Sequence, residues 1–369
     1  MGASLEIQLI AVAAAVACAL VGVFLVLRRM ALMADAISHT VLLGIVLSFF
    51  VVQDLHSPWL LLGAALMGVA TVALVEALQR SGLVAEDAAI ALVFPALFSL
   101  AVLLIGLYAR NVHLDADVVL MGELALAPFE RVLLFGLDLP QSLVTLTGIL
   151  LLNLLGIGLF YKELKLSTFD PVLAATLGIA PALLHYGLMA LVAVTAVGAF
   201  DSVGVVLVVA LIVTPPAAAH LLTDDLQRML LLSAGIGAGS ALSGYWLARW
   251  LDSNIAGSMA LMAGVWFCVV WAAAPERGLL ALLRRQARQR WQVAERVLAL
   301  HLHSAEEEGA PNLVDRLPER LRWEPKFARQ VLRRAEANGL VQYKAGGLVL
   351  TERGRQQAGY SSSRITGSS

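Results

Sequence analysis

Apolar runs of spanning length, separated by short polar stretches, fill the first three quarters of the chain. Nine of them fall at about residues 5–27, 30–52, 58–79, 88–109, 142–161, 180–199, 203–222, 229–250 and 256–274. Each is about as long as a helix must be to cross a hydrocarbon core roughly 30 Å thick. After Pro275 the pattern changes to shorter amphipathic pieces. WQVAERVLALHLH, NLVDRLPERL, PKFARQVLRRAEANG, LVQYKAGGLVLT and ERGRQQA read as helix, helix, helix, hairpin and helix. In the third piece Phe327, Val331 and Leu332 supply an apolar face, and Lys326, Arg329, Arg333 and Arg334 a basic one. Lys344 to Gly347 suits a hairpin turn. The predicted fold is an all-α polytopic membrane protein with about 8–9 transmembrane helices over residues 1–276. A small cytoplasmic α+β domain follows over 285–360, and residues 361–369 read as disordered.

Composition agrees with that pattern and adds a direction. The 369 residues are 59% hydrophobic and 14% charged, with a mean hydropathy of +0.81, which excludes an ordinary soluble domain. Residues 1–275 hold 9 Lys/Arg against 17 Asp/Glu, and the remainder 17 against 10, so an acidic membrane part precedes a basic tail. Placing Arg28, Arg29, Arg80, Lys162, Lys165, Arg228 and the tail on one side makes that side cytoplasmic and the N-terminus external. The arginines at 284, 285, 288 and 290 would then meet anionic membrane lipid. The first run follows no basic region and has spanning length, so it reads as a permanent helix and not a cleaved signal. Cys18 and Cys268 are the only cysteines, which excludes a disulfide framework and a cysteine-based zinc cluster. Residues 110–141 carry Asp115, Asp117, Glu123, Glu130 and Asp138 against two arginines. They are expected as an acidic outer segment, solvated or lying against the bilayer, that mildly favours a cation.

The candidate chemistry sits in the second run, MALMADAISHTVLLGIVLS. Asp35 and His39 are one helical turn apart and project from the same face, close to mid-membrane. Ionisable groups at that depth cost about 2.5–3.5 kcal/mol each, so they must be paired, coordinated or facing a wet path. Carboxylate oxygen beside imidazole nitrogen suits a borderline divalent ion such as Mn(II), Fe(II) or Zn(II). A structural Asp-His bond between helices is the alternative reading of the same residues.

The run MADAISHTVLLGIVLSF resembles the signature of membrane subunits in manganese, zinc and iron ATP-binding-cassette importers. That resemblance implies that Asp35 and His39 hold the metal in transit. It further implies that Phe169, Asp170 and Pro171, in YKELKLSTFDPVLAATLGI, contact the ATPase. The Gly-Val-x-Leu-Val-x-Ala-Leu pattern before Pro215-Pro216 is similar to the same family and extends the likeness over most of residues 5–275. The tail is similar to the winged-helix domain of iron- and manganese-dependent repressors, which makes Lys326, Arg329, Arg333 and Arg334 candidates for DNA or partner contact. Membrane anchoring disfavours an operator target, so nucleic acid is not the expected partner.

Read from the residues alone, Asp170-Pro171 is a helix-start signal. Pro215-Pro216 is expected to kink or break its helix. His185 and His220 read as interfacial polar residues, and small residues four apart, such as Gly44 and Ser48, as close helix contacts. His301, His303 and Glu306 to Glu308 read as a solvated helix end more readily than a metal sensor.

No lysine follows a glycine, so the phosphate-binding loop of an ATPase is absent. The expected partners are a cytoplasmic ATPase dimer, a second identical or related permease and an extracytoplasmic metal-binding protein. No tightly bound cofactor is expected, and the metal is cargo. The alternatives are an ATP-independent secondary metal transporter and a membrane-tethered, metal-responsive DNA-binding sensor.

Overall fold

The first helix, α1 (Ala3–Leu27), is apolar on every face and buried along nearly all of its length, as expected of a helix at the centre of a bundle. In this computed structural model residues 2–53, 57–108, 124–134, 136–275, 277–307, 317–321, 323–344 and 347–356 are described, and the chain divides into two units, Met1–Gly278 and Leu279–Ser369. In the first unit α5 (Gln141–Leu159), α8 (Pro181–Val203), α9 (Val205–Leu222) and α10 (Leu226–Leu251) surround α1. Beside them α3 (Pro58–Arg80) lies between α8 and α2 (Ala31–Val52), which also packs on α4 (Glu86–Tyr108). α11 (Ile255–Ala273) rests on α9 and α10. Nine helices among the described residues are long and apolar enough to cross a membrane. Their outward leucines, Leu103, Leu155 and Leu261 among them, form the apolar surface such a bundle presents to lipid.

Packing depends on small residues where backbones meet. A Cβ at Gly44 of α2 would press on Gly63 O and Ala64 Cα of α3. At Gly22 of α1 it would collide with Ile212 O, a carbonyl that receives no helical hydrogen bond because Pro216 has no N–H. Hence the helix does not break at Pro215-Pro216 as the sequence suggested. It runs unbroken through both prolines to Leu222, with the freed carbonyl set against a glycine. The gap between the sixth and seventh apolar runs, residues 200–202, is helical as well. The reversal happens at Gly204, whose φ of 79° and ψ of 160° only glycine adopts readily.

Two short helices, α6 (Tyr161–Phe169) and α7 (Pro171–Thr176), connect α5 to α8. The Asp170 Oδ1 accepts from Leu173 N at 2.9 Å with Pro171 in the first turn, the capping arrangement read from the sequence. The outer segment departs from expectation. Expected only as an acidic segment, solvated or lying against the bilayer, its described part forms a turn and the antiparallel hairpin β1 (Arg131–Leu134) and β2 (Leu137–Pro140). Gly136 at φ 80° allows the tight reversal, and Arg131 pairs across it with Asp138 at 2.8 Å and with buried Glu6 of α1 at 3.3 Å. Asp115, Asp117 and Glu123 lie outside the described residues.

The second unit begins with α12 (Leu279–Glu307), so the helix starts earlier than the sequence pieces suggested and includes the basic stretch. It is followed by α13 (Leu317–Arg320), α14 (Pro325–Ala337) and the hairpin β3 (Val341–Lys344) and β4 (Gly347–Leu350). Leu298, Leu302, Val331, Leu332, Val341 and Leu348 form its core. Gly339, at φ 67°, closes α14. The expectations for residues 361–369 and for Ala345-Gly346 fall outside the described residues.

Candidate functional site

The polar residues of α2 are sorted by face. Ser38 Oγ donates to Ala34 O at 2.7 Å, and Thr40 Oγ1 to Ala36 O at 3.0 Å. Thr71 Oγ1 of α3 donates to Thr40 Oγ1 at 2.7 Å, so these hydroxyls are satisfied inside the bundle. Asp35 and His39 turn the other way. With Leu32 and Leu42 they follow a 3, 4, 3 spacing, one stripe of the helix, and the rest of the chain leaves that stripe at least partly uncovered. The Asp35 Oδ1 lies 3.5 Å from His39 Nε2, and the side chains remain 44% and 26% exposed. That separation exceeds a normal hydrogen bond, so the pair is adjacent without being tied. Phe94 and Phe98 of α4, one turn apart, bracket the imidazole with ring centroids at 5.5 and 5.8 Å. Two donors therefore face an open lane against an aromatic wall. Among the described residues no three His, Cys, Asp or Glu side chains converge. An ion held here would need its remaining ligands from water or another subunit.

The other residues singled out in the sequence are separate from that pair. Phe169 is exposed with Val172, Leu173 and Leu177, making an apolar tip around the Asp170 cap. In the second unit Lys326 and Arg333 are exposed on α14. Two of the four basic candidates are engaged within the unit: Arg334 lies 4.9 Å over the Trp291 ring and 3.9 Å from Glu295, and Arg329 Nε donates to Pro325 O. His301 and His303 belong to α12, and the side chains of Glu306 to Glu308 lie outside the described residues.

Sequence reasoning missed a second polar cluster. Arg28, at the end of α1, donates to Ser167 Oγ at 3.0 Å and Thr168 Oγ1 at 3.2 Å on α6, and lies 3.2 Å from His185 Nδ1 on α8. His185 Nε2 is 2.7 Å from Glu76 Oε1 of α3, and Glu76 also accepts from Tyr186 and Arg80. Burial pulls the Arg28 guanidinium below its ordinary range. The available signal was Glu76 itself, a lone acid inside VALVEALQR one turn before Arg80.

Nine helices of spanning length among the described residues, one of them carrying an acid-imidazole pair on a partly open face, are the layout of a multi-pass membrane protein. Residues 5–274 match the model of the ABC 3 transport family, and the chain belongs to that family. It is 48% identical over 354 residues to the zinc transport system membrane protein TroD of Treponema pallidum, covering 95% of this chain and 96% of TroD. It is 49% identical over 266 residues to the manganese transport system membrane protein MntD of Bacillus subtilis, covering 72% of this chain and 90% of MntD. A chain of the structure of PsaBC from Streptococcus pneumoniae in complex with Fab superposes with a TM-score of 0.64 at 28% identity, over 76% of this chain and 95% of that one. At that length the TroD match extends into the second unit.

Proposed function

We propose that this permease passes Mn(II) or Zn(II) across the membrane by way of Asp35 and His39. The observation that carries the reading is the open face of α2: two ionisable groups stand there with no tight partner and only partial cover from their own chain. Left against lipid they would be costly, whereas a metal or a second permease lining a shared path relieves that cost. With two ligands per chain, a two-fold pair of permeases would bring four to one lane, the number a borderline ion favours. Relatives named for zinc and for manganese transport restrict the cargo to that pair of metals without choosing between them.

The ends of the helices supply the direction. Arg28, Arg80, Lys162, Lys165, Arg228 and Arg277 gather at one end of the bundle and Arg131 and Arg249 at the other, so the first end is cytoplasmic. The exposed tip at Phe169, Asp170 and Pro171 then faces the cytoplasm and suits a groove on a partner ATPase. The second unit, with its three helices and hairpin, is read as a winged-helix-like cytoplasmic domain that docks or regulates and does not read DNA, since tethering to a membrane disfavours an operator target. The hairpin at Arg131 would face an extracytoplasmic metal-delivery protein.

Reconstitution tests this. Proteoliposomes holding this chain, its permease partner and the ATPase should accumulate Mn(II) or Zn(II) only with ATP, and Asp35→Ala should abolish accumulation. Uptake driven by a proton or sodium gradient without the ATPase would overturn the proposal.

A further inference from the structure

We infer that Arg28, His185 and Glu76 form the joint through which movement of α6 and α7 reaches the helices that carry the metal pair, with Arg28 and Glu76 as positioning residues. This rests on the transport reading above. Four elements meet in one line of polar contacts: α6 through Ser167 and Thr168, α1 through Arg28, α8 through His185, and α3 through Glu76. Arginine can only donate, so His185 Nδ1 accepts from Arg28, and the Glu76 carboxylate lies 2.7 Å from His185 Nε2 as a close ion-pair contact without hydrogen-bond alignment. A displacement of α6 at Ser167 and Thr168 therefore acts through Arg28 on His185 and, by that close contact, on Glu76. Glu76 is held in turn by Tyr186 and Arg80, which fixes its carboxylate to α8 and to its own helix.

Beyond Glu76 the connection is by close packing. α3 meets α2 through Gly63 against Gly44 and Ser48 and through the Thr71 to Thr40 hydrogen bond, one residue from His39. At the near end Arg28, Ser167, Pro171, His185 and Glu76 line an open pocket of about 240 Å³ at the start of α7. A polar line that crosses four elements beside free space is suited to carrying a small displacement between two arrangements.

The test uses the assembled complex in proteoliposomes and reads metal accumulated per ATP hydrolysed, with Mn(II) and Zn(II) as probes. Glu76→Gln and Arg28→Lys keep side-chain size, and Thr168→Val removes a single bond to α6. The expected result is assembly and ATP hydrolysis near those of the unsubstituted complex, with metal moved per ATP down about tenfold for Glu76→Gln and less for Arg28→Lys and Thr168→Val. Uptake per ATP within twofold of the parent for all three would overturn the joint. So would uptake and hydrolysis falling in proportion, which marks a structural support. Should Glu76→Gln fail to assemble, Thr168→Val decides alone, because it leaves every charge in place. If the unsubstituted complex moves no metal, the transport reading fails; if it does and the variants couple normally, only the joint fails.

Discussion

Two histidine-carboxylate pairs in this bundle behave in opposite ways. His185 and Glu76 are 2.7 Å apart, and their remaining polar atoms are engaged by Arg28, Tyr186 and Arg80, a closed network that ties α1, α3, α6 and α8. His39 and Asp35 are 3.5 Å apart on a single helix, with an aromatic wall on one side and both side chains partly open on the other. The same two functional groups are enclosed among polar side chains of several helices in one place and left partly open on a single helix in the other. The difference lies in what surrounds them, since a low-dielectric interior penalises an unfilled polar group and rewards a filled one.

Substitutions should pull the two pairs apart. The largest contrast is in transport. Asp35→Ala and His39→Ala should reduce ATP-driven metal uptake to background while melting temperature and membrane insertion stay near those of the parent; substantial uptake by either variant would merge the two pairs into one class. Next comes stability. Glu76→Ala leaves His185 and Tyr186 without their carboxylate partner in a largely buried site and should cost about 3 kcal/mol, read as a lowered melting temperature in detergent. If Asp35→Ala costs as much, the open pair is a structural one.

Smaller effects sharpen the same boundary. Thr40→Val removes the hydroxyl behind the open face that accepts from Thr71. About 1 kcal/mol of stability should go with it, and metal affinity in equilibrium binding should hold. Asp170→Ala removes the cap of α7 and should cost about 1 kcal/mol locally, seen as faster amide exchange at Leu173 while α2 exchange is unchanged.

The open pair was legible in the sequence and the closed one was not, for a physical reason. Asp35 and His39 are four apart on one helix, so spacing alone puts them together. Arg28, Glu76, Ser167 and His185 meet only through tertiary packing, and no local period announces it. The same limit explains the helix ends. Spanning length located all nine helices within a few residues, but whether Pro215-Pro216 breaks a helix depends on Gly22 of another helix accepting the freed carbonyl. Similarly, Asp170-Pro171 spelled its own cap, whereas the hairpin at Arg131 depends on Glu6, 125 residues away, to hold its arginine. In the second unit the amphipathic face of α14 was readable, and the diversion of Arg334 onto Trp291 was not.

The central claim is that Asp35 and His39 ligate the ion in transit. X-ray absorption at the metal edge of the assembled complex, loaded with one Mn(II) or Zn(II), reads those ligands directly. The expected first shell contains imidazole nitrogen and carboxylate oxygen at about 2.0–2.2 Å for zinc, with the nitrogen contribution reduced in His39→Ala. A first shell that is the same in the parent, His39→Ala and Asp35→Ala complexes would contradict it.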